Sequence, residues 1–326
     1  MSQAQIDLII PGLLKLPAHE LDELALQQAT PALHRLLRFA RKQVVADCDF
    51  DDILLRRLGL KQKALPFAHA IQQAENGRAV LFRPVHLKAD INNAIVFPLE
   101  ENSEDVSLII KGLQEFFKQD CDIKKLPDNS WLMILKSLQP VDGVPHYLSA
   151  LGKKVTHYLE QAKSNLGWFK LFNEMQMFMH QHAVNERRQQ NGQLLINSLW
   201  CWGADQYDGE KLSATQWFSD DIELTALGQL YGADAHALYD VKNTALKNDV
   251  IIIDLSLLKA LKQDPHADLM SLLEQLEQQC FAPLLASKVK ITLHTAAAIN
   301  LHYQPRMSWQ FWRKPVSLFD LQGQGA

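Results

Sequence analysis

The run Val250-Ile-Ile-Ile253 constrains the fold more than any other feature of this sequence. It is apolar and β-branched throughout, and acidic residues flank it at Asp249 and Asp254. A strand with one exposed face alternates apolar and polar residues, whereas a strand buried on both faces does not, so residues 249–254 are predicted to form a central parallel strand. Because parallel neighbours need crossover connections, which are usually helical, the chain is predicted to belong to the α/β class.

Strands and helices also alternate elsewhere. Ile6–Ile10 is predicted to be a buried strand that Pro11-Gly12 ends. The helix that follows is predicted to begin at Thr30-Pro31, with threonine as its cap and proline at its first position. The other predicted core elements are a helix over 51–58, an amphipathic helix over 268–285, and strands over 289–293 and 299–303.

The middle of the chain has the pattern of a separate α+β unit. Its predicted elements are strands over 79–82, 94–97 and 131–135, and a helix over 104–118. Helical and strand patterns return over 169–182 and 194–202. We therefore predict a discontinuous α/β core, residues 1–76 and 166–326, interrupted by a smaller inserted α+β cap, residues 77–165.

Composition excludes several classes of protein. The chain has 326 residues and a formal net charge of −4, which does not fit a strongly basic nucleic-acid binder. Its apolar runs are far shorter than the roughly 18 residues of a membrane span, and the N-terminus has no signal-peptide pattern. The four cysteines are far apart, which favours free thiols in a reducing cytoplasm: Cys48, Cys121, Cys201 and Cys280.

Two groups of polar residues are candidates for binding. Arg83, His86 and Lys88 could bind an anion, and 86 and 88 would project to one face of a strand. The alternative is a solvated edge of the cap. A second group, Asn173, Gln176 and His180, forms a polar stripe on a helix rich in Met and Phe. It could line a pocket, or its members could satisfy buried backbone groups or one another.

The best site candidates are Asn185, Arg187, Arg188 and Asn197. Asparagine can bridge backbone groups in a buried turn, and arginine can bind a carboxylate or a phosphate through two parallel hydrogen bonds. Trp200 and Trp202 alternate on a predicted strand and point to the same side. They could pack in the core or offer a stacking platform for a ligand.

These motifs carry a resemblance to a known family. Asn173-Glu-Met-Gln-Met-Phe-Met-His180, Asn185-Glu-Arg-Arg188 and Ile196-Asn-Ser-Leu-Trp-Cys-Trp-Gly203, together with Arg83-Pro-Val-His-Leu-Lys-Ala-Asp90, closely resemble the RpfE-type regulatory protein family of bacteria. The resemblance covers nearly the whole chain. Members of that family are often described as phosphoglycerate mutase-like.

A second resemblance is more distant. The pattern Asn185, Arg188, Gly192, Asn197, Trp200, Trp202, Gly203 is similar to a stretch of the archaeal-type cofactor-independent phosphoglycerate mutases. Those enzymes belong to the alkaline phosphatase-like superfamily. The resemblance implies an α/β core, with a parallel-rich sheet flanked by helices, that an inserted cap interrupts.

The resemblance also implies a chemistry, in which two divalent metals held by Asp and His assist a serine or threonine nucleophile. Where the family has its first aspartate, this chain has Pro11, which has no donor atom. Asp7 lies about 13 Å earlier along the strand and is not expected to substitute for it. Leu293 stands at a second carboxylate position, beside a retained His294.

Further remnants of the ligand set are Asp254, Asp264 and His266. The alternative role of Asp264 is to cap the helix that Asp268 opens. Neither Ser2 nor Thr30 fits the position of the nucleophile.

Three functions remain open. The first is a degenerate phosphoglycerate mutase-like pseudoenzyme with a regulatory role, which needs no cofactor or metal and binds a phosphorylated metabolite or a protein partner. The second is an active phosphoglycerate mutase-like enzyme, an isomerase or phosphatase, that uses divalent metals at rearranged ligands. The third is a protein-interaction scaffold without a ligand.

Overall fold

A computed structural model describes residues 4–72, 78–89, 93–100, 103–212, 215–247, 249–309 and 312–322. The strands are β1 Gln5–Ile9, β2 Arg41–Val44, β3 Ala79–Ala89, β4 Ala94–Phe97, β5 Cys121–Lys125, β6 Trp131–Leu135, β7 Ser198–Trp202, β8 Thr215–Phe218, β9 Asp234–His236, β10 Asp249–Ile253, β11 Lys290–His294 and β12 Ile299–Tyr303.

The α-helices are α1 Glu23–Ala29, α2 Pro31–Phe39, α3 Phe50–Arg57, α4 Phe67–Gln72, α5 Glu104–Phe116, α6 Tyr147–Ala150, α7 Thr156–Ala162, α8 Leu166–His180, α9 Ala183–Gln190, α10 Ile222–Leu230, α11 Ser256–Gln263, α12 Leu269–Leu276, α13 Ala282–Ala286 and α14 Leu318–Gln322. A π-helical turn, Glu277–Phe281, joins α12 to α13. Short 3₁₀ helices cover Leu13–Lys15, Leu238–Lys242 and Pro305–Trp309. Within the described ranges, no helix is both long and apolar enough to cross a membrane.

The chain divides into two compact units. Residues Met1–Leu58 and Gly209–Ala326 form the first, here called the core unit, and residues Gly59–Asp208 form the second, the inserted unit. The unit boundaries therefore differ from the predicted cap of 77–165, and the predicted boundary at 76/77 falls outside the described residues. The difference arises because β7 pairs with β3 over Leu81–Val85, which places the preceding helices α8 and α9 in the inserted unit as well.

The core unit contains a seven-stranded sheet in the order β2-β12-β11-β1-β10-β8-β9. Strands β1, β8, β9, β10 and β11 pair in parallel, and β12 and β2 add antiparallel pairs at one edge. The predicted α/β class and the parallel strand over 249–254 are confirmed, because β10 has parallel neighbours on both sides. This topology places the carboxyl ends of five strands at one edge of the sheet.

One face of this sheet is apolar. Ile6 and Leu8 of β1 and Leu293 of β11 are fully buried in the hydrophobic core of this unit, together with Leu36 of α2 and Leu284 of α13. Burial of each such side chain contributes about 1.5–3 kcal/mol. Leu293 is therefore a core residue, while its neighbour His294 points to the opposite face of the sheet.

Helix α2 begins as predicted, with Thr30 at its N-cap position and Pro31 as its first residue. The Thr30 hydroxyl, however, donates to the carbonyl of Leu26 at 2.8 Å and makes no capping hydrogen bond to α2. The buried carboxylate of Glu277 accepts hydrogen bonds from the backbone N–H groups of Ala32, at 2.6 Å, and Leu33, at 3.0 Å. Thr30 also ends α1, which explains why its hydroxyl is engaged with the preceding helix.

The inserted unit has a five-stranded sheet in which β4-β3-β6-β5 follow one another and β7 also pairs with β3. All of these pairs are antiparallel. Strand β5 was not predicted, because Cys121–Lys125 contains three charged residues and carries no apolar run. Helices α5 and α8 bury Ile109, Leu113 and Met175 in the core of this unit together with Phe82 and Met133 of its sheet.

Candidate functional site

The polar face of the core sheet carries a network of paired charges. Asp7 lies in the middle of β1, and its carboxylate accepts a hydrogen bond from Nε of Arg57 at 2.6 Å. Its other oxygen lies 2.9 Å from Nε2 of His294. The Arg57 guanidinium also binds Asp249, whose second oxygen accepts from the Thr215 hydroxyl at 2.6 Å. We call these five residues the sheet-face network.

The network keeps a buried carboxylate ionised. Asp7 is only 7% exposed. Burial by itself would raise the pKa of Asp7, but the hydrogen bond from His294 and the charge of Arg57 outweigh it and lower that pKa. Removal of one partner from such a buried arrangement is costly, because it leaves an uncompensated charge. The side chains of Asp7, Arg57 and His294 are therefore engaged with one another.

A second polar region lies where β8 and β10 end, at the carboxyl edge of the parallel sheet. Ligands in open α/β sheets bind at this edge. A cavity of about 220 Å³ opens here, and we call it the carboxyl-edge pocket. Its lining residues are Ser219, Asp220, Asp221, Leu238, Ile253, Asp254, Leu255, Ser256, Lys259, Leu272, Gln275, Leu276 and Gln279.

The carboxylates of this pocket have identified partners. Asp221 caps α10 by accepting from the backbone N–H groups of Glu223 and Leu224, and its second oxygen binds Nζ of Lys259 at 2.8 Å. Asp254 accepts from both the N–H and the hydroxyl of Ser256, which opens α11. Its burial raises the pKa of Asp254, and hydrogen bonds from Ser256 only partly offset that effect.

The chain segment that contains the π-helical turn borders the pocket. Gln275 and Gln279 reach it from the segment that contains the π-helical turn, and such turns occur often at functional sites. Cys280, in the same turn, is fully buried. Burial raises the pKa of its thiol well above the ordinary value, with further contributions from Asp254 and Asp220, so this thiol stays protonated at neutral pH.

The structure does not bring the four predicted metal-ligand remnants together. His294 belongs to the sheet-face network, and Asp254 lines the carboxyl-edge pocket. Asp264 and His266 are exposed after α11, where the Asp264 carboxylate accepts from the His266 N–H at 3.0 Å. Asp268, rather than Asp264, caps α12. Among the described residues, no group of three or more His, Cys, Asp or Glu side chains could hold a metal ion.

In the inserted unit, the best sequence candidates bind other parts of the same chain. Asn185 is 2% exposed, and its amide donates to the carbonyls of Met179, at 2.7 Å, and Ile196, at 2.8 Å, and accepts from the Ile196 N–H. It therefore has the backbone-bridging role that was the alternative to ligand binding.

The arginines beside it bind a carboxylate of the chain itself. Arg188 donates to the Leu194 carbonyl at 2.7 Å and to Asp105 at 2.7 Å, and Arg187 binds the other oxygen of Asp105. The two guanidinium groups and the hydrogen bonds of Asp105 lower the pKa of that carboxyl despite the desolvation that opposes them. The anion that both arginines recognise here is Asp105.

Three further candidates also satisfy backbone or neighbouring groups. Asn197 binds both the N–H of Leu87, at 2.7 Å, and its carbonyl, at 3.0 Å. Gln176 donates to the Ser198 hydroxyl at 3.0 Å. Nδ1 of His86 donates to the Leu195 carbonyl at 2.9 Å.

The cationic candidates of β3 do not share one site. Arg83 donates to the Asp128 carbonyl at 2.9 Å and lies over the Tyr147 ring, 5.2 Å from its centroid. Lys88 is exposed near the end of the strand. On α8, Asn173 is half-buried and His180 is exposed.

The two tryptophans of β7 are buried. Trp200 donates to the Pro145 carbonyl at 3.1 Å, and its ring meets Tyr158 edge-on. Trp202 is 1% exposed and stacks with Tyr147. Core packing therefore accounts for both residues. This was one of the two interpretations considered from the sequence, the other being a stacking platform for a ligand.

Most residues of the sheet-face network and of the carboxyl-edge pocket were not among the candidates from the sequence. The available signal for Asp7 was a charged residue inside the otherwise apolar run Ile6–Ile10, which indicates a buried and therefore paired carboxylate. The adjacent acids Asp220 and Asp221 directly follow β8 and Ser219, but β8 is only four residues long and was not predicted. Arg57 carried no signal, since its partners lie 50 and 192 positions away in sequence.

Comparison with known proteins gives information on the fold. No family model matches the sequence. No curated protein matches it either. Among solved structures, the PH0037 protein from Pyrococcus horikoshii is similar over 93% of this chain and 88% of its own, with a TM-score of 0.53 and 13% identity. At that identity the similarity shows a common overall fold.

A cofactor-independent phosphoglycerate mutase from Thermoplasma acidophilum DSM 1728 also matches at 13% identity. The match covers 93% of this chain and 90% of the other, with a TM-score of 0.41.

Proposed function

We propose that this chain is a non-catalytic, regulatory binding protein with a phosphoglycerate mutase-like, alkaline phosphatase-like fold, and that it binds a small ligand in the carboxyl-edge pocket. One observation carries the proposal. The histidine that the resemblance assigns to a metal site, His294, is instead hydrogen-bonded to Asp7 within the sheet-face network. Two-metal phosphoryl transfer needs such groups to face a shared metal centre.

The positions that lack a ligand residue support the same proposal. Pro11 follows β1, and Gly12 after it has a positive φ of 93° and packs so closely that an added Cβ would lie 3.1 Å from the side chain of Leu261. Leu293 is fully buried in the apolar core. A carboxylate at Leu293 would enter a hydrophobic environment without a partner, at a cost of several kcal/mol.

The charge of the carboxyl-edge pocket determines which ligand it suits. Three carboxylates line it, those of Asp220, Asp221 and Asp254, against the single ammonium group of Lys259, which is already paired with Asp221. A phosphorylated metabolite, which the resemblance favours, would meet excess negative charge here. We therefore propose a small cationic amine as the ligand class for this pocket.

Two experiments test the two parts of this proposal. The first is calorimetric titration of the metal-stripped full chain with Mn²⁺ and with Zn²⁺, accompanied by a phosphoglycerate mutase and phosphatase assay. We expect neither saturable binding of two metals nor turnover. Stoichiometric binding of two metal ions together with phosphoryl transfer would instead establish the active-enzyme alternative.

The second experiment measures thermal stabilisation by spermidine and by 3-phosphoglycerate. A ligand present at about a hundred times its dissociation constant stabilises a protein by about 2.7 kcal/mol. We expect spermidine to stabilise the wild type and to lose its effect in Asp254→Asn, but not in the matched control Asp264→Asn, whose carboxylate is exposed outside the pocket. Stabilisation by 3-phosphoglycerate alone would contradict the assignment of the ligand class.

A protein partner is the second candidate, and exposed apolar side chains favour it. Phe116 of α5 is 67% exposed, and Met177 and Leu166 of α8 are 62% and 78% exposed. The Phe116 ring also contacts Phe178 of α8, so these helices share an apolar surface. Phe116→Glu tests this candidate, because it should abolish any self-association seen by analytical ultracentrifugation.

A further inference from the structure

Two carboxylates of the carboxyl-edge pocket each use only one of their oxygens. One oxygen of Asp254 accepts from both the N–H and the hydroxyl of Ser256, and one oxygen of Asp220 accepts from the Leu238 N–H at 2.9 Å. Within the described ranges, no hydrogen bond or ion pair engages the second oxygen of either carboxylate. Burial and, to a smaller extent, the charge of Asp220 raise the pKa of Asp254, so a cation near both carboxylates would relieve an unfavourable interaction.

Two glutamine side chains add further acceptors to the same pocket. Gln275 is exposed, and Gln279 is half-buried in the π-helical turn. Neither carboxamide has a hydrogen-bond partner among the residues that the structure describes. A carboxamide oxygen has two acceptor positions. The pocket therefore presents unused acceptor atoms from two carboxylates and two carboxamides, which suits a ligand with several N–H donors.

The lining also distinguishes one kind of cation from another. A metal ion does not fit, because no group of three or more His, Cys, Asp or Glu side chains in the described part of the chain could hold one. Quaternary ammonium groups are recognised by aromatic faces, and none of the described residues that line this pocket is aromatic.

The state of the carboxylates separates the two remaining cations. A guanidinium group binds best to both oxygens of one carboxylate, but at Asp220 and at Asp254 one oxygen already accepts a backbone N–H group. A primary ammonium group is a compact charge with three N–H donors. It therefore matches single oxygens from two separate carboxylates.

The rest of the lining is largely aliphatic. Five side chains contribute to it, Leu238, Ile253, Leu255, Leu272 and Leu276. An alkyl chain attached to the ammonium group would exchange contact with water for contact with these side chains. The volume of about 220 Å³ limits the length of that chain. Since an apolar cavity of about 150 Å³ binds benzene, a ligand of about six to nine non-hydrogen atoms fits here.

We infer that the carboxyl-edge pocket selects a short primary alkylamine, whose ammonium group donates to Asp220 and Asp254 and whose alkyl chain contacts the aliphatic lining. This selectivity rests on the function proposed above, because it narrows the small cationic amine assigned to the same pocket. It excludes methylated and guanidinium analogues, which the charge of the pocket alone does not exclude.

The test is calorimetric titration of the full chain with probes that differ in one property. They are n-pentylamine, methylamine, pentyltrimethylammonium, n-pentylguanidine and pentan-1-ol, at about pH 8, where an alkyl ammonium group such as that of lysine, with an ordinary pKa of about 10.4, stays charged. We expect n-pentylamine to bind, and the trimethyl, guanidine and alcohol analogues to bind at least tenfold more weakly. Each methylene group between methylamine and n-pentylamine should strengthen binding about fourfold.

Asp220→Asn locates the site. Asparagine keeps an oxygen for the Leu238 N–H but removes the charge, so the variant is expected to fold, and its urea-unfolding midpoint provides the check. We expect the substitution to weaken n-pentylamine binding about tenfold. The matched control Asp264→Asn, whose carboxylate is exposed outside the pocket, should leave that binding unchanged.

The outcomes separate this selectivity from the proposed function. If spermidine stabilises the chain but pentyltrimethylammonium or n-pentylguanidine binds as tightly as n-pentylamine, the preference for a primary ammonium group is wrong and the amine proposal stands. If neither spermidine nor n-pentylamine binds, the proposed ligand class is wrong, and the selectivity with it. Binding of n-pentylamine that is no tighter than that of methylamine, or that Asp220→Asn leaves intact, would also overturn the inference.

Discussion

Replacement of Asp205 by asparagine should change the pH dependence of stability in a defined direction. Burial, aided by the nearby Asp142 carboxylate, raises the pKa of Asp205 from the ordinary value of 3.8 to about 6, although N–H groups of Gly143 and Ala64 bind it. At pH values between 3.8 and about 6, Asp205 retains a proton in the folded chain that it has released in the unfolded chain. The unfolded state therefore binds fewer protons, and the free energy of unfolding falls as the pH rises through this window.

The expected magnitude follows from the size of the pKa difference. Moving from 3.8 to about 6 corresponds to a loss of about 3 kcal/mol in the free energy of unfolding between about pH 4 and about pH 8. Asparagine does not ionise, so the free energy of unfolding of Asp205→Asn should not fall in this way as the pH rises. Its amide nitrogen would instead face one of the two backbone N–H donors, at a cost of about 1–3 kcal/mol at every pH.

The assay is urea-induced unfolding of wild type and Asp205→Asn at a series of pH values. We expect the variant to be less stable at about pH 4 and to approach or exceed the wild type at about pH 8. Asp142→Asn, which removes the exposed neighbouring carboxylate, should change the slope only slightly. A difference between wild type and Asp205→Asn that stays constant over this range would refute a raised pKa at Asp205.

Three other substitutions test the remaining buried polar contacts, each by urea unfolding. Asp7→Asn should lower the free energy of unfolding by about 3–5 kcal/mol at neutral pH, because it breaks a buried ion pair. Because the pKa of Asp7 is lowered, the stabilities of wild type and variant should converge as the pH falls through that pKa, and a pH-independent difference would contradict this. Asn185→Ala should cost about 3 kcal/mol, because it leaves three backbone groups unpaired, whereas a change near zero would reopen a ligand role. Glu277→Gln should cost about 1–2 kcal/mol and speed amide exchange at Ala32 and Leu33, and unchanged exchange there would contradict the cap.

Four of the seven strands of the core unit, β1, β10, β11 and β12, could be predicted because their signal is local, whereas the short strands β2, β8 and β9 were not predicted. The uninterrupted apolar run at Val250–Ile253 allows little except a strand buried on both faces, and the structure places it between two parallel neighbours. Strand β5 was missed for the opposite reason, since Cys121–Lys125 is mostly polar and is held in the sheet by pairing with β6. The strand with which a segment pairs depends on the tertiary fold, and the local sequence pattern does not reveal it.

The partner of a polar side chain was harder to predict than its location. Asn185, Arg187, Arg188 and Asn197 were the best binding candidates in the sequence, but the sequence could not tell whether their partners belong to a ligand or to the chain. Asp7 was considered only as a substitute metal ligand, by its distance from Pro11 along β1, and its contact with His294 was not predicted. That contact forms across neighbouring strands, where Ile9 pairs with His294.

Asp7 and Asp205 show why burial alone does not locate a reactive group. Both carboxylates are buried to a similar extent, at 7% and 5% exposure, yet the pKa of Asp7 is lowered and that of Asp205 is raised. The difference comes from their partners, because Asp7 binds a guanidinium and an imidazole, whereas Asp205 binds only neutral backbone N–H groups and lies near a second carboxylate. A carboxylate already neutralised by its own chain has little to gain from a ligand. Asp205 is the one whose electrostatic environment a ligand could improve.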